Sequence, residues 1–401
     1  MITMGEFGLG LVLLADAIWI GLLTLWGDFW KCDQRLAGES ASGSGGEFSS
    51  PYICAVIPAR NEADMLPLSL RSLLAQDYAG KFHIVLVDDH STDGTAEIAR
   101  QTAIALGKAD HLTVIPAEPL PAGWTGKLWA MEQGDRYLQT LNPRPDYVLF
   151  TDADIEHAPN NLSQLVAKAM QENRDLVSLM VLLRCESFWE KLLIPAFVFF
   201  FQKLYPFPLA NNPHSHIAAA AGGCLLLRHT TLEHIGGLQI LKQALIDDCS
   251  LAQAVKRQQA TGKGQTSIWI GLTQTTRSLR PYETLETIWN MVARTAYTQL
   301  NYSPLLLVGT LFGLILVYLV APIAALAGLV SANWELSLAG WLGWVLMTLA
   351  YLPTIRLYRL SPLWAVGLPA IALLYNLMTL DSALRHWRGQ GGAWKGRTYS
   401  A

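Results

Sequence analysis

Val87-Asp88-Asp89-His90-Ser91-Thr92-Asp93-Gly94-Thr95 is the stretch that decides the fold. The apolar run HIVLVDD (83–89) breaks there into a polar turn, and a helical pattern follows over Thr95–Leu106. Upstream, ICAVIP (53–58) reads as a buried strand and Leu66–Gln76 as a helix. Downstream, LTVIPA (112–117) and YVLFTDAD (147–154) read as a third and a fourth strand. Short apolar strands alternating with amphipathic helices predict βαβ units, hence an α/β fold with a mainly parallel sheet. Ligands of such sheets bind beyond the carboxyl ends of strands. Arg60-Asn61-Glu62, Asp88-Asp89 and Asp152-Ala153-Asp154 each follow a strand.

Around this core the composition changes. Of the 401 residues, 51% are hydrophobic and only 15% charged. Soluble domains carry about 25% charged residues, so part of the chain is expected to face lipid. A net charge of −3 excludes a general nucleic-acid binder, which needs a basic surface. Five scattered cysteines with no CxxC pair give no zinc site or disulfide framework.

Residues 7–27 are long and apolar enough to span a bilayer, and no Lys or Arg precedes Lys31, which favours an uncleaved anchor over a signal peptide. The domain reading is an anchor over 1–30, a Gly/Ser-rich linker over 31–51, a catalytic domain over 52–300, membrane segments over 301–385 and a basic tail over 386–401. Within the catalytic domain, aromatic-rich 187–210 with flanking Glu190, Lys191 and Lys203 is expected at the membrane interface; a buried helix is the competing reading. Three further apolar stretches lie at about 304–330, 336–354 and 363–380. Arg356 and Arg359 place their loop and the catalytic domain in the cytoplasm, with 331–335 outside. The basic tail also reads as cytoplasmic, which four simple spans do not permit; a re-entrant or interfacial last segment, with Pro369 inside it, is the expected way out. The localisation implied is the inner (cytoplasmic) membrane.

Asp152-Ala153-Asp154 places two carboxylates one residue apart at a strand end, where they can converge on a divalent cation. Hard oxygen donors suit Mg2+ or Mn2+, which commonly bridge substrate phosphates. Alone, the triplet is better explained by a solvated turn, and it gains meaning from its neighbours. Lys127, in Gly123-Trp124-Thr125-Gly126-Lys127, stands at a helix start suited to a diphosphate. Ala220-Ala221-Gly222-Gly223 precedes the strand CLLLR, where small residues allow either substrate approach or tight packing. Asp247-Asp248 opens the helical segment Cys249–Arg257, where a helix dipole alone would favour acids. Ser91 and Thr92 read as helix-entry caps.

The order PARNE (58–62), VDDHSTDGT (87–95), acidic triplet resembles the family 2 glycosyltransferases, whose nucleotide-binding fold is called GT-A. The resemblance covers about residues 52–300. It implies a nucleotide-sugar site containing Pro58, Arg60, Glu62, Asp89, Lys127, Asp152 and Arg294, with Glu62 and Asp89 contacting uridine and Lys127 the phosphates or ribose. It implies metal ligation by Asp152 and Asp154, an acceptor side at Gly222 and Gly223, and a catalytic base at Asp248. Asp247 replaces the family's Glu. Of the family's Gln-x-x-Arg-Trp motif only Arg294 survives in 291–295, which argues against polymer synthesis.

The strings GWTGKLWAMEQG (123–134), AAAGGCLLLR (219–228) and MVARTAYTQLNYSPLLL (291–307) resemble the hopene-associated glycosyltransferase subgroup, and the layout more distantly resembles ceramide glucosyltransferase. The expected function is therefore inverting transfer from a nucleotide sugar, expected to be UDP-linked, to a membrane-lipid hydroxyl in hopanoid or related lipid biosynthesis. The partners implied are that donor, a lipid acceptor, the membrane and other lipid-biosynthesis enzymes. A polyprenyl-phosphate sugar transferase and an inactive membrane scaffold or lipid carrier are the alternatives.

Overall fold

The computed structural model describes residues 4–36, 50–242, 244, 246–260 and 267–389, with the short pairs 393–394 and 397–398. Helix α1 (Met4–Leu25) is followed by β1 (Ile53–Ala59), α2 (Leu66–Leu74), β2 (Phe82–Asp88), α3 (Thr95–Ala105), β3 (Leu112–Pro116), α4 (Gly126–Gln139) and β4 (Tyr147–Thr151). Next come β5 (Ile155–Glu156), α5 (Asn161–Gln171), β6 (Leu176–Leu182), α6 (Phe188–Leu204), α7 (Phe207–Asn211), β7 (Cys224–Arg228) and α8 (His229–His234). The remainder is α9 (Asp247–Ala260), β8 (Ile268–Ser278), α10 (Leu285–Ala293), α11 (Pro304–Leu314), α12 (Val320–Val330), α13 (Trp334–Leu357) and α14 (Leu368–Trp387).

Eight strands form one sheet in the order β3-β2-β1-β4-β7-β6-β8-β5. β1, β2, β3 and β4 pair in parallel, as do β6 and β8. β7 runs antiparallel to both β4 and β6, and β5 antiparallel to β8. The sheet is mainly parallel, as expected, and the reversal of β7 matters for function. It sets the start of β7 beside the end of β4, with Cys224 opposite Thr151. Gly222 and Gly223 therefore lie at the same sheet edge as Asp152, with the segments that follow β1, β2 and β8.

Every residue of β1 is buried. This is why it reads as a continuous apolar run rather than an alternating one: a central parallel strand is covered on both faces. Ile53, Ala55 and Ile57 face a core with α2, α3 and α5, while Cys54 and Val56 face another with α4 and α9. Gly134 lets α4 lie directly on β1, since a Cβ there would stand 2.3 Å from Val56 Cγ1.

A third core joins α6 to the apolar helices through Trp19, Phe199, Tyr318 and Tyr351. Helix α6 is thus largely buried between the sheet domain and the apolar helices, with Phe188 and Leu204 exposed near its ends. Two of its flanking charges do not snorkel. Glu190 is fully buried, and Lys203 Nζ donates to Tyr318 Oη at 3.0 Å.

Among the described residues, four helical segments are long and apolar enough to cross a membrane: Glu6–Leu25, Pro304–Val330, Trp334–Leu357 and Pro362–Trp387. A π-helical turn at Ile315–Leu319 joins α11 to α12, and Val317 O accepts from Trp19 Nε1 at 2.7 Å. The last segment follows an unusual path. Leu357, ending α13, accepts from Gln274 of β8, yet Val366 O accepts from Trp344, midway along α13. Helix α14 then returns, so that Ser382 Oγ donates to Ala293 O of α10. Pro369, inside this segment, sits in the first turn of α14, where no N–H is needed.

Two boundaries change. Residues 34–36 are not loose linker but dock on β8, with Leu36 N donating to Leu272 O and Leu272 N to Gln34 O. The Gly/Ser-rich part from 37 to 49, and most of the basic tail beyond 389, lie outside the described residues. Helix α10 stops at Ala293, short of the boundary at 300. A 3-10 turn at Thr298–Leu300 and left-handed Asn301 and Tyr302 then separate it from α11.

Candidate active site

The two polar turns after β1 and β2 are laced together by side chain to backbone bonds. Asn61 N donates to Ser91 Oγ at 3.0 Å, and Thr92 N donates to Asn61 Oδ1 at 2.8 Å. Asn61 and His90 adopt left-handed φ values of 50° and 56°, which these bonds hold in place. The N-cap of α3 is Gly94, and the side chain that meets its first amide is Asp93 rather than Ser91 or Thr92: its Oδ1 accepts from Thr95 N and its Oδ2 from Ala63 N, both at 3.0 Å. Arg60 Nη1 donates to Asp89 O at 2.6 Å, which fixes the buried Asp89 at the mouth of the sheet. Pro58 stands inside β1, buried opposite Val87.

Lys127 comes from the first turn of α4, whose cap is Thr125. Its Nζ lies 2.6 Å from Asp152 Oδ1. Burial would depress the ammonium's pKa, but the charges of Asp152, Asp247 and Asp248 outweigh it and hold the pKa above its ordinary value. Asp248 Oδ2 accepts from Gly222 N at 2.9 Å and Oδ1 from Cys249 N at 2.8 Å. A Cβ on Gly222 would stand 3.4 Å from Lys127 Nζ and 3.5 Å from Asp248 Oδ2. Lys127, Asp152 and Asp248 therefore gather around Gly222. Burial and the neighbouring Asp247 push the Asp248 carboxyl up to about 6. Gly223 does something else. Its absent Cβ would meet Val181 at 3.1 Å and Ile155 at 3.4 Å, so it serves packing.

Arg280, just beyond β8, carries no motif and went unread in the sequence. Its Nη2 donates to both oxygens of Glu62, at 2.8 and 2.9 Å, and its Nε donates to Asp154 Oδ2 at 2.7 Å. The partners lie 218 and 126 residues away, so no local pattern could announce them. Burial and the Asp152 charge raise the pKa of Asp154, and Arg280 works against that rise. Asp152 is about one-third exposed, whereas Asp154 is buried. Among the described residues no three His, Cys, Asp or Glu side chains form a metal cage. The protein's share of a coordination shell would be the hard oxygens of Asp152 and Asp154, a donor set that fits an ion completing its shell with phosphate and water.

Arg294 is exposed just past the end of α10. Its charge acts on the phenol of Tyr282, as do Arg280, Asp154 and Asp152, which puts it at the rim of the same site. Beneath the triplet lies a buried chain. Thr276 donates to Asn161, Asn161 to His157 Nδ1, and His157 Nε2 meets Thr151 Oγ1, which donates to Gly223 O. Burial holds the His157 imidazole down at about 3, so it stays neutral and links the Asp152 turn to the glycine pair.

Residues 54–236 match the family described as glycosyl transferase family 2. The 4,4'-diaponeurosporenoate glycosyltransferase of Staphylococcus haemolyticus is 34% identical over 131 residues, 32% of this chain and 31% of that protein. The undecaprenyl-phosphate 4-deoxy-4-formamido-L-arabinose transferase of Edwardsiella ictaluri is 34% identical over 122 residues, 30% of this chain and 34% of that protein. The chain thus spans about a third of the length of these relatives. Among solved structures, a mannosyltransferase from Pyrobaculum calidifontis, in complex with GDP-Man and Mn2+, superposes with a TM-score of 0.52 at 18% identity, covering 94% of this chain and 98% of its own. That likeness is one of fold, and it extends over the apolar helices.

Proposed function

We propose that this chain, whose residues 54–236 match glycosyl transferase family 2, moves a sugar from a nucleotide-sugar donor, in our reading a UDP-sugar, to a hydroxyl of a membrane lipid, with inversion. The observation that carries this reading is the gathering of Lys127, Asp152 and Asp248 around the side-chain-free Gly222.

Asp248 takes the proton of the attacking hydroxyl; a pKa near 6 suits a general base at neutral pH. The Lys127 ammonium, aimed by Asp152, meets the oxygens of the departing diphosphate, and exposed Arg294 is a second cation for them. Asp152 and Asp154 would hold a divalent cation, Mg2+ or Mn2+, which would supply further positive charge for that leaving group. Asp89 and Glu62, fixed by Arg60 and Arg280, face the uridine. Gly222 leaves the gap into which the acceptor hydroxyl fits.

A lipid acceptor is supported by a cleft of about 900 Å³ along α9, lined by Tyr205, Ile246, Cys249, Gln253, Gln299 and Tyr302 among others. It mixes apolar and polar walls and borders the turn that leads into α11, as suits an amphiphile drawn from headgroup depth. We place the acceptor among polycyclic lipids of the hopanoid type, on the strings at 123–134, 219–228 and 291–307. In this reading α1, the α11–α12 helix and α13 cross the inner membrane, 358–387 re-enters, and the catalytic domain and tail face the cytoplasm.

The name of the Edwardsiella relative favours a second acceptor, a polyprenyl phosphate. Two basic residues such a phosphate could use are engaged elsewhere, Lys203 with Tyr318 and Arg228 with Asp175, while Arg257 lines the cleft itself. The test is a panel of radiolabelled UDP- and GDP-sugars offered to the purified chain in nanodiscs containing either a hydroxylated hopanoid or undecaprenyl phosphate. Label moving from a UDP-sugar to the hydroxyl lipid, as a mild-acid-stable glycoside, supports the first reading. An acid-labile product on undecaprenyl phosphate alone overturns it.

A further inference from the structure

Arg280 stands between the carboxylate assigned to the base of the donor and one assigned to the cation, and it bonds both. The two carboxylates are nearly fully buried, with Glu62 8% and Asp154 5% exposed. Two such anions without a counter-charge repel one another and lose hydration, which a fold tolerates poorly. We propose that Arg280 is a built-in counter-cation: it neutralises Asp154 while no metal is bound, and it yields Asp154 to the incoming divalent ion without leaving Glu62. This rests on the metal reading of Asp152 and Asp154 given above.

The bonding is asymmetric in the way this exchange requires. Glu62 is held by two bonds from Nη2 and Asp154 by one from Nε. A cation that claims Asp154 breaks the single bond and leaves the guanidinium anchored. The backbone does not have to follow, because Leu279 N donates to Asp154 O at 2.8 Å and ties the two segments independently of the side chains. The released Nε–H is then open to a new acceptor, and an anionic nucleotide oxygen is its natural partner. Two consequences follow. Cation alone binds weakly because it must replace a charge-assisted bond, and nucleotide strengthens it by re-engaging the freed donor, a coupling that works in both directions.

The experiment measures Mn2+ affinity of the full chain in detergent by electron paramagnetic resonance, with and without UDP, at mildly alkaline pH so that protons do not take the place of the guanidinium. Arg280→Gln is expected to bind Mn2+ alone about tenfold more tightly than the unmodified chain, the scale of one charge-assisted bond. The gain from adding UDP should shrink by a similar factor, and Arg280→Lys should fall between the two. Melting supplies a second readout. Arg280→Gln should lose stability in EDTA and recover with Mn2+, which takes over as counter-ion. Mn2+ binding that needs Asp154 but is unchanged in Arg280→Gln, or an equal melting loss in EDTA and Mn2+, would overturn the role of Arg280 alone. Equal Mn2+ affinity in the unmodified chain and in Asp154→Asn would overturn the metal reading and this inference with it.

Discussion

Asp248 Oδ2 accepts a 2.9 Å hydrogen bond from the amide of Gly222, across the reversal that brings the start of β7 beside the end of β4. The contact fixes the proposed base against the one wall of the site that has no side chain, and it separates the two neighbouring glycines in function.

Gly222→Ala adds a methyl at ordinary contact distance from Lys127 and Asp248, so folding should be unaffected. The gap for the acceptor hydroxyl closes, and kcat should fall by on the order of ten- to a hundredfold, as when reacting groups are displaced by about an ångström. Gly223→Ala meets Val181 at 3.1 Å and should instead cost about 1–3 kcal/mol of stability with kcat nearly kept. Melting and steady-state kinetics on the two variants distinguish them; matching profiles would contradict the division.

The acid limb of activity should report Asp248. Burial and Asp247 raise its pKa to about 6, and the active form is the carboxylate. Activity should therefore be lost as pH falls through about 6 and level off above it. Asp247→Asn removes the neighbouring negative charge, so the limb should move to lower pH. A limb that moves upward, or stays in place, would show that another group controls it.

Glu190 tests how the site is braced. Its buried carboxylate accepts from Arg184 Nη1 and from the backbone N–H groups of Glu186, Ser187 and Tyr282 at 2.8–3.0 Å. Burial alone would raise its pKa, but those bonds and the Arg184 charge hold it below the ordinary value. Its stabilisation is present above the unfolded-state pKa and is lost as pH falls through the folded one. Glu190→Ala strands these donors and should lower stability by roughly 3 kcal/mol or more, read as a fall in melting temperature in detergent. A variant that melts like the parent would remove Glu190 from the account.

The re-entrant path proposed for 358–387 predicts that residue 388 returns to the side of the catalytic domain. Cysteine placed at Ser331 should react with a membrane-impermeant maleimide on intact cells, and cysteine placed at Arg388 only after permeabilisation. Labelling of both from outside would make the last segment a full crossing.

Much of this was legible in the sequence, and the parts that were not share a cause. The strands up to β4 and the motifs after them could be read because continuous apolar runs and turn residues are local signals. Asp152, Asp248 and Lys127 could be nominated because a family pattern marks them. Arg280 could not, since its meaning comes from carboxylates brought to it by the sheet. Glu190 looked like an interfacial charge because composition does not reveal that four donors surround it. The reversal of β7 was equally hidden: CLLLR reads the same in either direction, and the direction is what separates Gly222 from Gly223.

The central claim is that Asp248 is the base of a sugar transfer to a lipid hydroxyl. The direct test is Asp248→Asn in nanodiscs with saturating nucleotide sugar and a hydroxyl-lipid acceptor, with UDP affinity measured on the same sample. With the base removed, kcat should fall by about 10²–10⁴, the usual worth of a general base, while UDP affinity is kept. Transfer at the unmodified rate would contradict it.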